Sequence, residues 1–359
     1  MKQLAGFRDA ALAKRVVEQI RTVAPSYPVK ICHVCGTHEW TISHYGLRSL
    51  LPESVDVIAG PGCPVCIVPA AEIDEAIKLA LEKNVTIATF GDLVRVPASE
   101  LSLQDARARG GDVRIVYSVI DAVKLAEKEP NRDFAFFAVG FETTAPSTAV
   151  EVLKKRPRNL SFLVSHRLIP PAMELLLGIG DLHIDGFIAP GHVSTIIGMK
   201  PYELFPRAYR MPTVVAGFEP LDVLFAVSML LHQIKNNEAK LENEYSRVVA
   251  WDGNVKAQKL ISEAFDVVDG GWRGLGRVPA SALALKKEHG EYDARSKYNV
   301  KVSGARDLLP GCLCHLVMIG KIKPPECSLY MKVCTPQSPR GACMVSMEST
   351  CRIWARHKP

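Results

Sequence analysis

The sequence predicts an α/β fold: two similar parallel-sheet units in tandem, followed by a mainly helical and irregular C-terminal domain. Three observations carry this prediction. Short apolar, β-branched runs recur over the first 220 residues: VKICHV from Val29, VDVIAG from Val55, VTIATF from Val85, VRIVYS from Val113, FAFFAV from Phe134, LSFLVS from Leu160, IDGFIA from Ile184 and TVVAGF from Thr213. They begin 21 to 30 residues apart, and helical patterns such as PAAEIDEAIKLALEK and TTAPSTAVEVLKK fill several of the gaps, which is βαβ spacing. Beyond residue 220 the strand runs stop and the composition changes.

Taken in order, the runs are continuous rather than alternating, as expected of strands buried on both faces of a parallel sheet. EKEPNRD at 127–133 is acidic and carries a proline, and it divides the runs into two sets of four. The expected domains are therefore 25–130 and 131–220, with 221–359 as a third on which an N-terminal helix over 1–24 packs. LDVLFAVSMLLHQIKNNEAKLENEYSRVV reads as one long amphipathic helix or two, and KAQKLISEAF as another. From Asp269 onward glycine, proline and cysteine dominate. Such a segment buries little apolar surface by itself and calls for a staple, a metal or a cluster in a reducing compartment.

Apolar residues make up 48% of the 359 and charged residues 23%, ordinary for a globular protein and too rich in core-formers for disorder. Charges interrupt the first twenty residues, which excludes a signal peptide's apolar region, and no later stretch reaches transmembrane length. A cytoplasmic location is expected, where ten cysteines point to metal or redox chemistry before a disulfide framework. The net charge of +6 is modest, and its clusters at Lys154, Lys155 and Arg156 and at Lys286 and Lys287 read as solvated faces. A nucleic-acid binder needs a basic stripe with interleaved aromatics, and neither is present. No phosphate-binding loop and no G-x-G-x-x-G occurs, so nothing points to nucleotides.

In open parallel sheets ligands bind at the carboxyl ends of the strands. Seven of the eight runs are followed there by reactive residues beside glycine or proline: CGTHEW (35–40), GPGCPVC (60–66), GD (91–92), GFETT (140–144), SHRL (165–168), PGHVS (190–194) and GFEP (217–220). A site where the two domains meet is expected. In GPGCPVC, the glycines and prolines hold Cys63 and Cys66 in one restricted loop just ahead of a helix starting near Pro69, whose positive end lowers a nearby thiol's pKa. Such a pair can cycle between dithiol and disulfide or supply two metal ligands; two small buried hydrophobes are the plain alternative. Cys35 opens a loop with His38 within one turn, and thiolate with imidazole suits a metal such as iron, although a lone histidine is more often a hydrogen-bonded core group. Cys32, inside the strand, points into the sheet. Thr144 is expected to cap the helix ahead of Pro146. Glu142, Thr143 and His192 are candidates for contacts to a partner loop or to a metal's ligands, while Asp92, Ser165 and His166 stay ambiguous.

Cys327, Cys334, Cys343 and Cys351 are spaced too widely for a zinc knuckle and supply the four thiolates that a [4Fe–4S] cluster requires. A structural zinc is the alternative. Cys312 and Cys314, in GCLCH, lie just upstream, so counting does not choose four ligands among six thiols.

Together, CGTH, GPGCPVC, GFETTAP, PGHVS, GFEP, WRGLG and CTPQSPRGACMVSMESTC resemble, in order and over nearly the whole chain, the HypD family of [NiFe] hydrogenase maturation factors. The resemblance implies two α/β domains plus a third with a [4Fe–4S] cluster. It also implies a scaffold for the iron–cyanide–carbonyl centre, with iron held at Cys35 and a cysteine of a HypC-type chaperone and with His38 beside it. Cys63 and Cys66 would be the redox pair, Cys327, Cys334, Cys343 and Cys351 the cluster ligands, and a HypE-type protein the cyanide donor. The alternative is a stand-alone iron–sulfur thiol–disulfide oxidoreductase; a zinc-stapled interaction protein would leave GPGCPVC unexplained. The chain departs from the family where an acidic residue usually precedes Val-Cys and a threonine usually follows the histidine: here stand His33 and Glu39, and Cys32 is an extra cysteine.

Overall fold

A computed structural model describes residues 6–154 and 157–358; the first five residues of the expected N-terminal helix, and Lys155 and Arg156 of the basic cluster, lie outside the described residues. All eight predicted runs form strands, and all lie in parallel sheets. One sheet holds β1 (Val29–His33), β2 (Val55–Ala59), β7 (Gly186–Pro190), β8 (Thr213–Ala216) and β9 (Leu241–Asn243) in the order β2-β1-β7-β8-β9. The other holds β3 (Thr86–Thr89), β4 (Val113–Ile115), β5 (Phe134–Gly140) and β6 (Leu160–His166) in the order β4-β3-β5-β6. Ile31 thus stands opposite both Val57 and Gly186, and Phe136 opposite both Ala88 and Phe162.

This corrects the grouping by sequence order. The chain leaves the first sheet after β2, builds the whole second sheet, and returns to finish the first. A hydrophobic run encodes burial on two faces but not the identity of its neighbours, so the acidic stretch at 127–133, which joins the helix Val119–Lys128 to β5, marks no change of sheet.

The N-terminal helix runs from Ala10 to Val23, with the Asp9 carboxylate accepting from the N–H groups of Ala11 and Leu12. Its buried face, Val16, Val17, Ile20 and Val23, packs on the helix Pro220–Lys235, which covers the first sheet. That helix is half the length expected. It ends at Asn236, Asn237 takes a left-handed φ of 53°, and the chain re-enters the sheet as β9. The helix Val255–Ala264 forms as expected. Where the sequence predicted irregular chain, β10 (Phe265–Trp272) and β11 (Gly276–Leu285) form an antiparallel hairpin with a bulge at Val268/Gly270. No helix among the described residues is long and apolar enough to cross a membrane. One continuous apolar cluster joins the two sheets, the hairpin and the cysteine-rich segment.

Candidate metal and thiol site

The strand order brings the CGTH and GPGCPVC loops side by side, because β1 and β2 are neighbours and both loops leave from their carboxyl ends. The loops are bonded to each other: Gly60 N–H donates to the His33 carbonyl at 2.7 Å and Gly36 N–H to the Gly62 carbonyl at 3.2 Å. Gly62 is required by this approach, since a Cβ there would lie 2.2 Å from the Cys35 nitrogen. Cys35, Cys63 and Cys66 line one small cleft with His33, Glu39, Met318, Glu348 and Thr350.

Cys35 is the N-cap of the helix Gly36–His44, with the backbone N–H groups of Thr37 and His38 facing its sulfur. Burial nevertheless dominates and pushes its thiol up to about 11. Cys66 N–H donates to the Cys63 carbonyl at 3.1 Å, closing a turn, and the Cys66 thiol lies 3.9 Å from the Ala342 carbonyl beside Cys343. Burial, with Cys63 and Cys343 adding to it, pushes the Cys66 thiol well above its ordinary value. The expected lowering by the following helix does not appear, because that helix starts at Ala70, with Pro69 as its extended N-cap, and desolvation outweighs its dipole.

His38 is fully buried and is not among the residues lining the cleft. Its Nε2–H donates to the Gly217 carbonyl at 2.8 Å, its Nδ1 has no partner, and burial lowers its pKa to about 3, so the ring is neutral. Phe218 packs on it and carries the exposed ring of His192 on its other contacts, at a centroid distance of 3.8 Å. Glu142 lies elsewhere. Its Oε1 accepts from Ile169 N–H at 2.9 Å, burial raises its pKa to about 7, and it lines an apolar cavity with Leu168, Pro170, Ile197 and Phe265. Thr143 is exposed, and Thr144 occupies the N-cap position of the helix Ala145–Leu153 without a side-chain capping bond. Asp92 accepts from Ser346 Oγ at 2.7 Å, tying a β3 loop to the terminal segment. His166 is buried against Thr148 at 3.0 Å.

The two departures from the family pattern meet. His33 Nε2–H donates to Glu39 Oε2 at 2.8 Å, and Glu39 also receives Arg48 through two nitrogens at 2.7 and 2.9 Å, Ser43 at 2.7 Å and Trp354 Nε1–H at 2.8 Å. Burial works against this carboxylate, but Arg48 and His33 prevail and hold it well below the usual range. This network ties the Cys35 helix to the C-terminal helix Thr350–His357. The six-residue separation of His33 and Glu39 around a strand end was the one available signal.

The six terminal thiols also converge. Cys343 and Cys351 sulfurs lie 3.1 Å apart, Cys314 bonds to both Cys312 and Cys343, and Cys327 and Cys334 lie close enough for their charges to be felt by Cys351. All six are buried. Among the described residues, no three His, Cys, Asp or Glu side chains are grouped so as to hold a metal ion, and all six of these thiols are free. Their chemistry fits a soft metal centre: four or more buried thiols and a backbone donor, Arg340 N–H, at 3.3 Å from the Cys334 sulfur. Crowding of this kind disfavours thiolates unless a cation compensates them.

A family model described as HypD, "Hydrogenase formation hypA family", matches residues 11–358. The hydrogenase maturation factor HypD2 of Bradyrhizobium diazoefficiens is 46% identical over 363 residues, covering 98% of this chain and 95% of its own. HypD of Rhizobium leguminosarum bv. viciae is 44% identical over 368 residues, covering 99% and 95%, and HypD of Cupriavidus necator 44% over 363, covering 98% and 96%. Similarity that spans both sheets, both cysteine loops and the terminal thiols leaves one conclusion: the chain belongs to the HypD family of hydrogenase maturation factors.

Proposed function

We propose that this chain is a redox-capable scaffold on which the iron–cyanide–carbonyl moiety of [NiFe] hydrogenases is put together. Iron is the substrate. Cys35 holds it at the mouth of the cleft, jointly with a cysteine of a HypC-type chaperone, while a HypE-type partner brings cyanide. His38 stays neutral beneath it and offers the free Nδ1. Cys63 and Cys66 store two electrons and two protons, both released when their S–S bond forms. Cys327, Cys334, Cys343 and Cys351 hold a [4Fe–4S] cluster, which when bound supplies single electrons. Cys312 and Cys314 belong to the same cluster of thiols.

One observation carries this reading: Cys35, Cys63 and Cys66 line a single cleft, and Cys66 touches the backbone beside Cys343. The dithiol therefore stands between the cargo position and the terminal sulfurs. Anaerobic purification followed by iron, acid-labile sulfide and zinc analysis tests the resident centre: iron with sulfide is expected, and zinc without sulfide would refute it. Cys35→Ala is expected to abolish iron retention in the chaperone complex while the sulfide content is unchanged. Equal iron retention by wild type and variant would sink the assignment of Cys35.

A further inference from the structure

The acid of GFETT has no part in the scheme above, yet Glu142 is 3% exposed and stands two residues past the end of β5. Its Oε1 accepts from Ile169 N–H, the first of the helix Ile169–Leu177, at 2.9 Å, while its Oε2 is buried without a hydrogen-bond partner. Only two backbone N–H groups, its own and that of Ile169, offset the burial; among the described residues no cation pairs with it. A glutamine would serve Ile169 equally well and leave no acid to desolvate, so capping the helix does not account for the second oxygen. Glu142 lines a cavity of about 390 Å³, within the range of small-molecule sites, roughly 300–1,000 Å³. Leu168, Ile197, Ile261, Phe265 and Leu283 give it apolar walls, and the exposed Ser262, Asp266 and Val267 form a rim open to solvent. The Gln258 amide nitrogen in the wall already donates to the Ile196 and Asp252 carbonyls, at 2.8 and 2.6 Å. The polar group left over is thus an acceptor. Glu142 and Asp266 stand against one base, Lys286, and Phe265 adds an aromatic ring, which attracts cations.

We propose that this cavity binds a small amphiphilic amine, whose primary ammonium donates to Glu142 Oε2 and whose apolar body fills the space between the helix Val255–Ala264 and the β10–β11 hairpin. The ammonium supplies the donor and the charge that the buried carboxylate lacks, and burial of the body supplies the remaining affinity. The cavity shares no lining residue with the thiol cleft, so the proposal stands apart from the scaffold reading.

The test uses the full chain, purified anaerobically, and three probes that share one six-carbon chain: hexylammonium, 1-hexanol and hexanoate. Each is titrated at about pH 8, where an alkyl ammonium keeps its proton, and binding is followed by saturation-transfer NMR. Wild type is expected to bind hexylammonium about tenfold tighter than hexanol, and hexanoate more weakly than either. Glu142→Gln, which keeps a carbonyl for Ile169 N–H, is expected to lose about tenfold for hexylammonium and less than threefold for hexanol. A purely structural Glu142 would lower the melting temperature of this variant without changing the ratio of the two affinities. Ser262→Trp puts an indole at the exposed rim and is expected to abolish binding of both probes. The proposal is overturned if wild type binds no probe or binds hexanol as tightly as hexylammonium, if Glu142→Gln leaves hexylammonium binding unchanged or weakens both probes equally, or if Ser262→Trp binds as wild type does. Should Glu142→Gln fail to fold, the wild-type preference for hexylammonium together with its loss in Ser262→Trp supports the site, and absence of either overturns it.

Discussion

Cys35 and Cys63 stand two and four residues beyond the ends of neighbouring parallel strands, whereas the six terminal cysteines lie on turns and short helices, outside the strands of both sheets. The first group is positioned by backbone: two strands in register, two loops hydrogen-bonded to each other, and a helix whose N-cap is the cysteine itself. The second is positioned by its own sulfurs and by packing against the rest of the chain. The difference teaches where a metal contributes folding energy. A site on strand ends exists before its ligand arrives, while a segment without a ladder gains its order with the metal it binds.

The largest effect should come from attacking the second group. Treating the anaerobic protein with a chelator that would strip the proposed centre, or substituting Cys343→Ser, is expected to raise the rate of limited proteolysis within 306–349 more than tenfold while the two sheets stay protected in hydrogen exchange. Equal exposure of sheets and terminal segment would erase the distinction between the two regions.

Next is the network beneath Cys35. Glu39→Gln leaves Arg48 and His33 without their anion, and a cost of about 3 kcal/mol in chemical denaturation is expected. A loss below 1 kcal/mol would mean that the strands alone hold the helix. Gly62→Ala places a methyl group against the Cys35 backbone and is expected to cost about 2 kcal/mol and to slow alkylation at Cys35, with no change in metal content.

The smallest effect concerns pH. His38 has a folded pKa of about 3 against an unfolded value near 6.5, so below 6.5 the unfolded chain binds the extra proton first and stability falls as pH falls toward 3. At pH 5.5 this amounts to about 1.4 kcal/mol. His38→Gln, which can still donate to the Gly217 carbonyl, is expected to flatten that part of the profile, measured by denaturant titrations between pH 7.5 and 5. His166, also lowered to about 3 by burial, retains its own share.

Composition and periodicity made the eight parallel strands legible, since residues buried on both faces must be apolar at every position. Loop chemistry pointed to the carboxyl ends, and the cysteine loops do share a cleft. The hairpin was not legible: Asp266 to Asp269 face solvent, and Gly270, Gly271, Pro279 and Ala280 are poor strand formers, held in place by Arg167, which donates to the Gly271 carbonyl, and by the helix Ile169–Leu177. Nor was the tie from Glu39 to Trp354, because partners far apart in sequence leave no local pattern. Glu142 shares the glycine-flanked setting of the cleft residues, yet the second sheet directs it into a different cavity.

Sequence alone determined that this protein is built of buried parallel strands, that its cysteine and histidine loops follow those strands, and that its tail concentrates cysteine. These are statements about each segment's surroundings, which side-chain polarity and backbone freedom impose locally. Tertiary structure alone decided which strands are neighbours, which loops therefore meet, and which thiols share a charge. Those outcomes depend on contacts between segments up to three hundred residues apart, and the free energy of such contacts is a property of the pair, not of either member.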